Sequence, residues 1–165
     1  MKYNKNSLYL LYRMSGITRW APPTWIFFHT FAAKINKTFF EQNRAQCLEI
    51  IKMICSCLPC PECTKHAIQF MKRVNMHTVR TKEELINMLY IFHNQVNIRT
   101  YKKPAPREIL KTYNSYRIDV AYINFINGYP AKYGSIMSGL STLGKRKNVA
   151  RAVQTWMQKH WKYFQ

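Results

Sequence analysis

Leu58-Pro59-Cys60-Pro61-Glu62-Cys63-Thr64-Lys65-His66-Ala67 is where two helical patterns meet. Upstream of it, Cys47, Ile50, Ile54 and Cys57 or Leu58 recur at helical spacing, which predicts a helix over about 41–57. Pro59 and Pro61 stop that helix, because proline has no N–H to donate and its ring clashes with the preceding turn. Downstream, a new helix is expected near Cys60. Pro61 and Glu62 suit its first turn, and Cys63, Ala67, Phe70 and Val74 carry its apolar stripe. Two cysteines three apart therefore stand at a helix N-terminus, where free N–H groups and the macrodipole favour a thiolate. More thiolate at neutral pH, and a better leaving group, are what disulfide exchange needs. Cys60 is the expected outward-facing member, with Cys63 one turn deeper against the bundle. The spacing alone leaves alternatives open. Cys57, Cys60, Cys63 and His66 also read as C-x2-C-x2-C-x2-H, a possible metal set, and inert core cysteines fit as well.

The periodicity stays helical along the rest of the chain. Trp25, Phe28, Ala32, Ile35 and Phe39 step by three and four, with Pro22 and Pro23 placed as a first turn. Thr81-Lys82-Glu83-Glu84 is a capping-box pattern, and Leu85, Leu89, Phe92 and Val96 form the buried line of the helix it starts. Pro104 and Pro106 break the pattern, and Pro106 opens a fifth helix carrying Ile109, Tyr113, Val120 and Ile123. Residues 128–130 and 134–144 read as a looser connector. Beyond it, 145–164 reads as a basic amphipathic helix, with Val149, Val153, Trp156 and His160 on one side and Lys145, Arg146, Lys147, Arg151, Lys159 and Lys162 largely elsewhere. No strand-period run, internal repeat or glycine-rich dinucleotide fingerprint occurs. The expected class is all-α: a four-helix bundle plus a short fifth helix, with a C-terminal basic helical extension. The expected division is an N-terminal segment 1–19, a bundle domain 20–127 and an extension 128–165.

Composition narrows the partners. The chain has 165 residues, a length suited to one domain or one domain plus a tail. Hydrophobic residues are 47% of it, enough for a core, so its charge is carried by a folded body rather than a disordered one. With 26 Lys+Arg against 7 Asp+Glu the net charge is +19, which makes an acidic partner, a nucleic acid or an anionic surface a plausible contact for the basic C-terminal region. No run reaches the roughly 18 apolar residues of a membrane span, and no secretory signal is recognisable, so the chain is expected to be unsecreted. Five cysteines cannot all pair within one monomer, and four of them fall within nine positions. In an unsecreted chain that clustering points to redox or metal chemistry rather than to structural staples. Cys47 and Cys55 have a plain reading as buried core residues.

A second constellation lies on the fourth helix. His93 and Asn97 share a face one turn apart, and Asn94 adjoins it, in a stretch otherwise apolar. Buried polar side chains there require partners, either one another or a polar ligand between helices. His29 on the first helix and His66 on the third are further polar positions on apolar faces. With Trp20 and Trp25 nearby, a shared aromatic ligand is the reading that joins them.

Three runs together carry a family resemblance: Trp20-Ala21-Pro22-Pro23-Thr24-Trp25-x3-His29-Thr30, then Leu58-Pro59-Cys60-Pro61-Glu62-Cys63-x2-His66-Ala67, then His93-Asn94-x-Val96-Asn97. In order and spacing they resemble the Erv/ALR family of FAD-linked sulfhydryl oxidases, and the second run is most similar to the versions encoded by large cytoplasmic DNA viruses. The resemblance covers about 20–104. It implies a helical bundle that holds FAD against a redox CxxC, with Cys63 the sulfur beside the flavin and Cys60 the one that receives electrons from substrate thiols. It implies Trp20, Trp25, His29, His66, His93, Asn94, Asn97 and Lys102 as FAD-binding residues, with Lys103 the fallback for Lys102. It further implies an oxidase passing electrons from thiol-containing substrate proteins to dioxygen with release of hydrogen peroxide, a homodimer, and a viral role in virion assembly in the host cytoplasm and the virion. Ala21 stands where the family often has Gly, Pro104 is displaced by one, and neither the long-spaced structural cysteine pair nor a separate upstream shuttle CxxC is present. Electrons would then enter at Cys60 directly, or through Cys55 and Cys57. The competing reading is a metal-stabilised, basic nucleic-acid-binding or virion structural protein.

Overall fold

The computed structural model describes residues 5–130 and 136–164, with side chains over 19–130 and 142–164. Its architecture is all-α. Helices α1 (Lys5–Lys34), α2 (Lys37–Cys55), α3 (Pro61–Arg73) and α4 (Lys82–Arg99) form the bundle, and α5 (Ile118–Gly128) and α6 (Ile136–His160) complete it. Short 3₁₀ turns at Met76–Thr78, Arg107–Asn114 and Trp161–Tyr163 join or finish them.

Local chemistry sets most of the boundaries. The Asn36 side chain accepts from the Phe39 N–H and starts α2. Cys60 is the N-cap of α3, with Pro61 in the first turn. The expected capping box is present on α4: Thr81 Oγ1 accepts from Glu84 N at 3.2 Å, and the Glu84 carboxylate accepts from Thr81 N at 2.8 Å. These bonds satisfy N–H groups that a helix start would otherwise leave unpaired.

Four expectations need correction. Pro22 and Pro23 are not a first turn but lie inside α1, well past its start at Lys5. A proline ring removes one helical N–H each, so the carbonyls four residues earlier lose their usual donors. The Arg19 carbonyl, one of the two, is where α5 approaches. A Cβ added at Gly128 would sit 2.5 Å from that oxygen and 3.6 Å from Pro23 Cγ, so only glycine lets the two helices meet there. The single fifth helix expected after Pro106 is instead a 3₁₀ turn followed by α5, separated at Ser115–Arg117 by a bend. The looser connector expected at 128–130 and 134–144 is tighter: Tyr129 is fully buried, and α6 already begins at Ile136. Its residues 134 and 135 lie outside the described residues. Finally, Arg146, placed on the polar side of the C-terminal helix, is 1% exposed, because α6 lies against the bundle rather than beside it.

The core runs through both halves of the chain. Phe27 stacks on Phe125 of α5 at 4.6 Å, and Phe70 of α3 on Phe92 of α4 at 4.5 Å. Val153 and Met157 of α6 join the same buried cluster with no exposed surface. Each such fully buried side chain is worth about 1.5–3 kcal/mol of removed apolar surface. The end of the chain is tied in by backbone. Asn36 N–H donates to the Tyr163 carbonyl at 2.7 Å, and Ile35 pairs with Phe164 in an isolated bridge. Among the described residues no helix is long and apolar enough to cross a membrane.

Candidate functional site: a disulfide on an aromatic cavity

Cys60 and Cys63 form a disulfide across the first turn of α3, with Cα atoms 5.1 Å apart. The Cys63 N–H points at Cys60 Sγ, 3.2 Å away, in the position of an N-cap bond. When the pair is reduced, that donor and the helix dipole stabilise negative charge on Cys60. Thr64 Oγ1 donates to the Leu58 carbonyl at 3.2 Å and holds the loop that enters the turn. The expectation of an outward-facing Cys60 is not met: it is only 2% exposed. Cys63 instead has free surface, on the wall of a cavity of about 340 Å³. The reason is the turn itself. As N-cap, Cys60 folds its side chain back over the helix end, and Cys63, one turn on, projects sideways between α1 and α4.

That cavity is lined by Trp20 and Trp25 of α1, by Phe92, His93, Val96, Asn97 and Arg99 of α4, and by Lys102 and Tyr113 beyond it. Its volume is at the small end of those of ligand pockets, and its walls are mainly aromatic. The Trp25 indole and the His93 ring stack at 4.0 Å and 2°. Behind them His93 Nδ1 and His29 Nε2 share a proton at 3.0 Å, and Tyr113 stacks on His29 at 4.5 Å. Burial, and then the neighbouring His93, push His29 down to about 3. Burial, and then the Lys102 cation, push His93 down to about 4. Both imidazoles are therefore neutral at pH 7, one donating and one accepting. The Trp20 indole N–H is buried and finds no acceptor among the described residues.

The two asparagines do different work. Asn94 Oδ1 accepts from Ala105 N at 2.8 Å and its Nδ2 donates to the Ala105 carbonyl at 3.1 Å. Tyr90 donates to the same carbonyl at 2.9 Å. Asn94 thus pins the 104–106 loop rather than facing the cavity, whereas Asn97 lines it. At the end of α4, Tyr101 takes φ 59°, and Lys102 N–H donates back to the Asn97 carbonyl at 2.8 Å. This left-handed cap turns the chain so that Lys102 comes to the cavity.

Of the expected FAD-binding residues, the structure brings Trp20, Trp25, His93, Asn97 and Lys102 together with Cys63. His29 sits one layer behind, and Asn94 is occupied by the loop. His66 is on the outer side of α3, 4.0 Å from Glu62, in a separate cleft that shares Phe92, Val96 and Arg99 with the cavity. Arg99, Tyr113 and Cys55 were missed. Arg99 continues the Val96 face by one turn and was legible from that spacing. Tyr113 is placed by the sequence only as a residue of the fifth helix. Cys55 was assigned to the core, and it is 1% exposed there, with its thiol pushed far up by burial, yet it also borders the cavity. Cys47 is equally buried, its thiol pushed up to about 12. Among the described residues no three His, Cys, Asp or Glu side chains are placed to hold a metal ion.

Comparison with known proteins adds a family match over residues 22–117, to the model described as the Erv1 / Alr family. A protein of Invertebrate iridescent virus 6, named as a FAD-linked sulfhydryl oxidase, is 28% identical over 100 residues, 56% of this chain and 88% of its own length. The FAD-linked sulfhydryl oxidase of African swine fever virus is 29% identical over 84 residues, 51% of this chain and 70% of its own. A protein of Invertebrate iridescent virus 3, also so named, is 31% identical over 101 residues, 60% of this chain and 66% of its own. No solved structure matches the chain.

Proposed function

The chain belongs to the Erv1/Alr family, and on that footing we propose that it is a FAD-linked sulfhydryl oxidase, making disulfides in partner proteins with dioxygen as terminal oxidant and hydrogen peroxide as co-product. The observation that carries this reading is the Cys60–Cys63 disulfide with Cys63 on the wall of the aromatic cavity.

The residues present fit the coenzyme. A flat indole and imidazole wall suits a flat ring system, and the buried Trp20 N–H is a donor waiting for an acceptor. Arg99 and Lys102 bring the cations that a pyrophosphate needs. Trp20, Trp25, His93, Asn97 and Lys102 would hold it, and His29 would act through His93. FAD, when bound, supplies a two-electron acceptor that dioxygen can reoxidise.

The chain's own groups do the rest. A substrate dithiol reduces the Cys60–Cys63 disulfide by thiol–disulfide exchange and leaves as the substrate disulfide. The pair is left as dithiol, its charge held by the first turn of α3. Cys63 keeps its sulfur against the cavity, and the neutral His29–His93 pair adds no charge of its own to the wall. The packed aromatic side chains exclude water.

The test is the visible spectrum and oxygen uptake of the purified chain. A flavin band that bleaches with a dithiol and returns under air supports the reading. Cys63→Ser should keep the band and lose turnover by about 10³-fold or more; turnover at the parent rate would refute the relay.

Three finer points belong to the same proposal: a homodimer, an acidic contact, and action in the host cytoplasm at sites of virion assembly. The contact is assigned to the solvent face of α6, where Lys145, Lys147, Arg151 and Lys159 are exposed. The viral sources of the relatives support the last. Sedimentation, salt-dependent binding to acidic protein and fractionation of infected cells test them in turn.

A further inference from the structure

Four cysteines crowd the end of α2 and the start of α3, and the oxidase reading uses only two. Their exposure differs in an informative way. Cys60 is 2% exposed, so its sulfur is closed to a protein thiol. Cys63 has surface, but on the cavity wall that the coenzyme would cover. Cys55 is 1% exposed. Cys57 is partly exposed and is not part of the cavity wall. It stands three residues before Cys60, the separation that the Cys60–Cys63 disulfide spans with Cα atoms 5.1 Å apart.

The surroundings of Cys57 are built rather than incidental. Residues 56–60 are turn and bend, not helix, so the Leu58-Pro59 link can bring the two sulfurs together. Tyr129, fully buried at the end of α5, donates its hydroxyl to the carbonyls of Cys57 at 2.8 Å and Ile54 at 3.1 Å. The bond fixes the Cys57 backbone. Lys145 and the buried Arg146 of α6 bring positive charge to the thiol. Burial raises the Cys57 thiol above its usual value, and those two cations oppose the rise. Tyr129, Lys145 and Arg146 all lie beyond residue 117, where the family match ends.

We propose that Cys57 is the outer thiol of a three-cysteine relay in which Cys60 is the shared middle sulfur and Cys63 the inner one. The relay rests on the oxidase reading and names its point of entry. In the first step the Cys57 thiolate attacks Cys60 Sγ. The Cys57–Cys60 bond forms, the Cys60–Cys63 bond breaks, and Cys63 leaves as thiolate; no net oxidation occurs. A substrate thiolate then attacks the partly exposed Cys57, and Cys60 leaves as thiolate. The substrate's second thiolate attacks its partner in the mixed disulfide, closing the substrate disulfide and releasing Cys57. Two electrons now reside on Cys60 and Cys63, and the established acceptor chemistry of the family removes them as that disulfide re-forms.

The experiment uses the full flavin-loaded chain with reduced thioredoxin as the protein dithiol. Cys57→Ser should keep its flavin band and its Cys60–Cys63 disulfide, and oxygen uptake should fall at least about tenfold. A second measurement does not depend on that variant. Tryptic peptide 53–65 contains Cys55, Cys57, Cys60 and Cys63. In Cys63→Ser treated with oxidised glutathione and then alkylated, tandem mass spectrometry of this peptide should show Cys57 linked to Cys60. Equal turnover by Cys57→Ser, or a peptide in which Cys57 is alkylated while Cys60 carries glutathione, overturns the relay. A parent chain without flavin or oxygen uptake overturns the oxidase reading and the relay with it; an active parent matched by Cys57→Ser removes the relay alone.

Discussion

The cavity wall and the cysteine loop meet at Cys63 but are held in opposite ways. The wall is a continuous stack, Tyr113 on His29, His29 bonded to His93, His93 flat on Trp25, seated between α1 and α4. Its order comes from area and shape, with the His29–His93 hydrogen bond inside it. The loop from Ser56 to Cys60 is irregular rather than helical, with Leu58 packed against the core and Pro59 and Cys60 buried. It is held at a few points: the N-cap of α3, Thr64 on the Leu58 carbonyl, and Tyr129 on the carbonyls of Ile54 and Cys57. A rigid wall suits a bound coenzyme, and a lightly tethered loop suits sulfurs that must change partners. One site thus needs both kinds of support, from different parts of the chain.

The strongest way to break the wall is Trp25→Ala. It removes the face on which His93 stacks and opens the cavity to water. We expect a loss of about 3–5 kcal/mol of stability together with loss of flavin, measured by denaturant unfolding and by absorbance of the purified chain. The cysteine loop should still form the Cys60–Cys63 disulfide in the fraction that folds.

Acid should act on the same wall without any substitution. The folded values of His29 and His93 lie below the ordinary imidazole value of 6.5. The unfolded chain therefore binds more protons as pH falls below that value, and stability declines from there toward the folded values of about 3 and 4. The displacement of His93 from 6.5 to about 4 corresponds to a loss on the order of 3 kcal/mol once the pH has fallen to its folded value. Unfolding midpoints across that window should fall in the parent and fall less in a His29→Gln variant, which keeps the His93 contribution; a parallel decline would dismiss His29 as a cause.

Gly128→Ala tests how the loop depends on a distant helix contact. The added methyl meets the Arg19 carbonyl, a backbone atom that cannot turn aside. About 2 kcal/mol of destabilisation is expected, with α5 pushed off α1 and Tyr129 carried away from the loop, so protein-dithiol turnover should fall before flavin is lost. The smallest effect is that of Tyr129→Phe, which keeps the packing and removes one donor from two carbonyls. About 1 kcal/mol is expected, and faster hydrogen exchange confined to the amides of 56–64 would separate a tether on the loop from a general loss of packing.

Much of this was legible before any coordinates. Apolar spacing located the bundle helices, and Pro59, Pro61 and the Thr81 cap placed α2, α3 and α4 near their actual ends, because caps and prolines act on the backbone within a few residues of themselves. The candidate site was legible in part. Trp25, His93 and Asn97 project as helical spacing predicts, and so meet Cys63. His29, His66 and Asn94 do not, since which side of a polar residue faces a cavity depends on what the neighbouring helix offers it. Pro22 and Pro23 misled, because a local rule for helix starts takes no account of a partner such as Gly128 packing at the freed carbonyl.

From its residues alone this chain is helical, strongly cationic, and equipped with a cysteine pair at a helix start that is suited to exchange. Those properties follow from local propensities, charge and sequence spacing, which need no third dimension. Which sulfur faces the cavity, which is sealed, and which remains within reach of another protein were decided by packing. Exposure is a property of the assembled surface: α1 and α4 close the cavity around Cys63, while Tyr129 at the end of α5 and the cations of α6 stand beside Cys57, from more than sixty residues further along the chain.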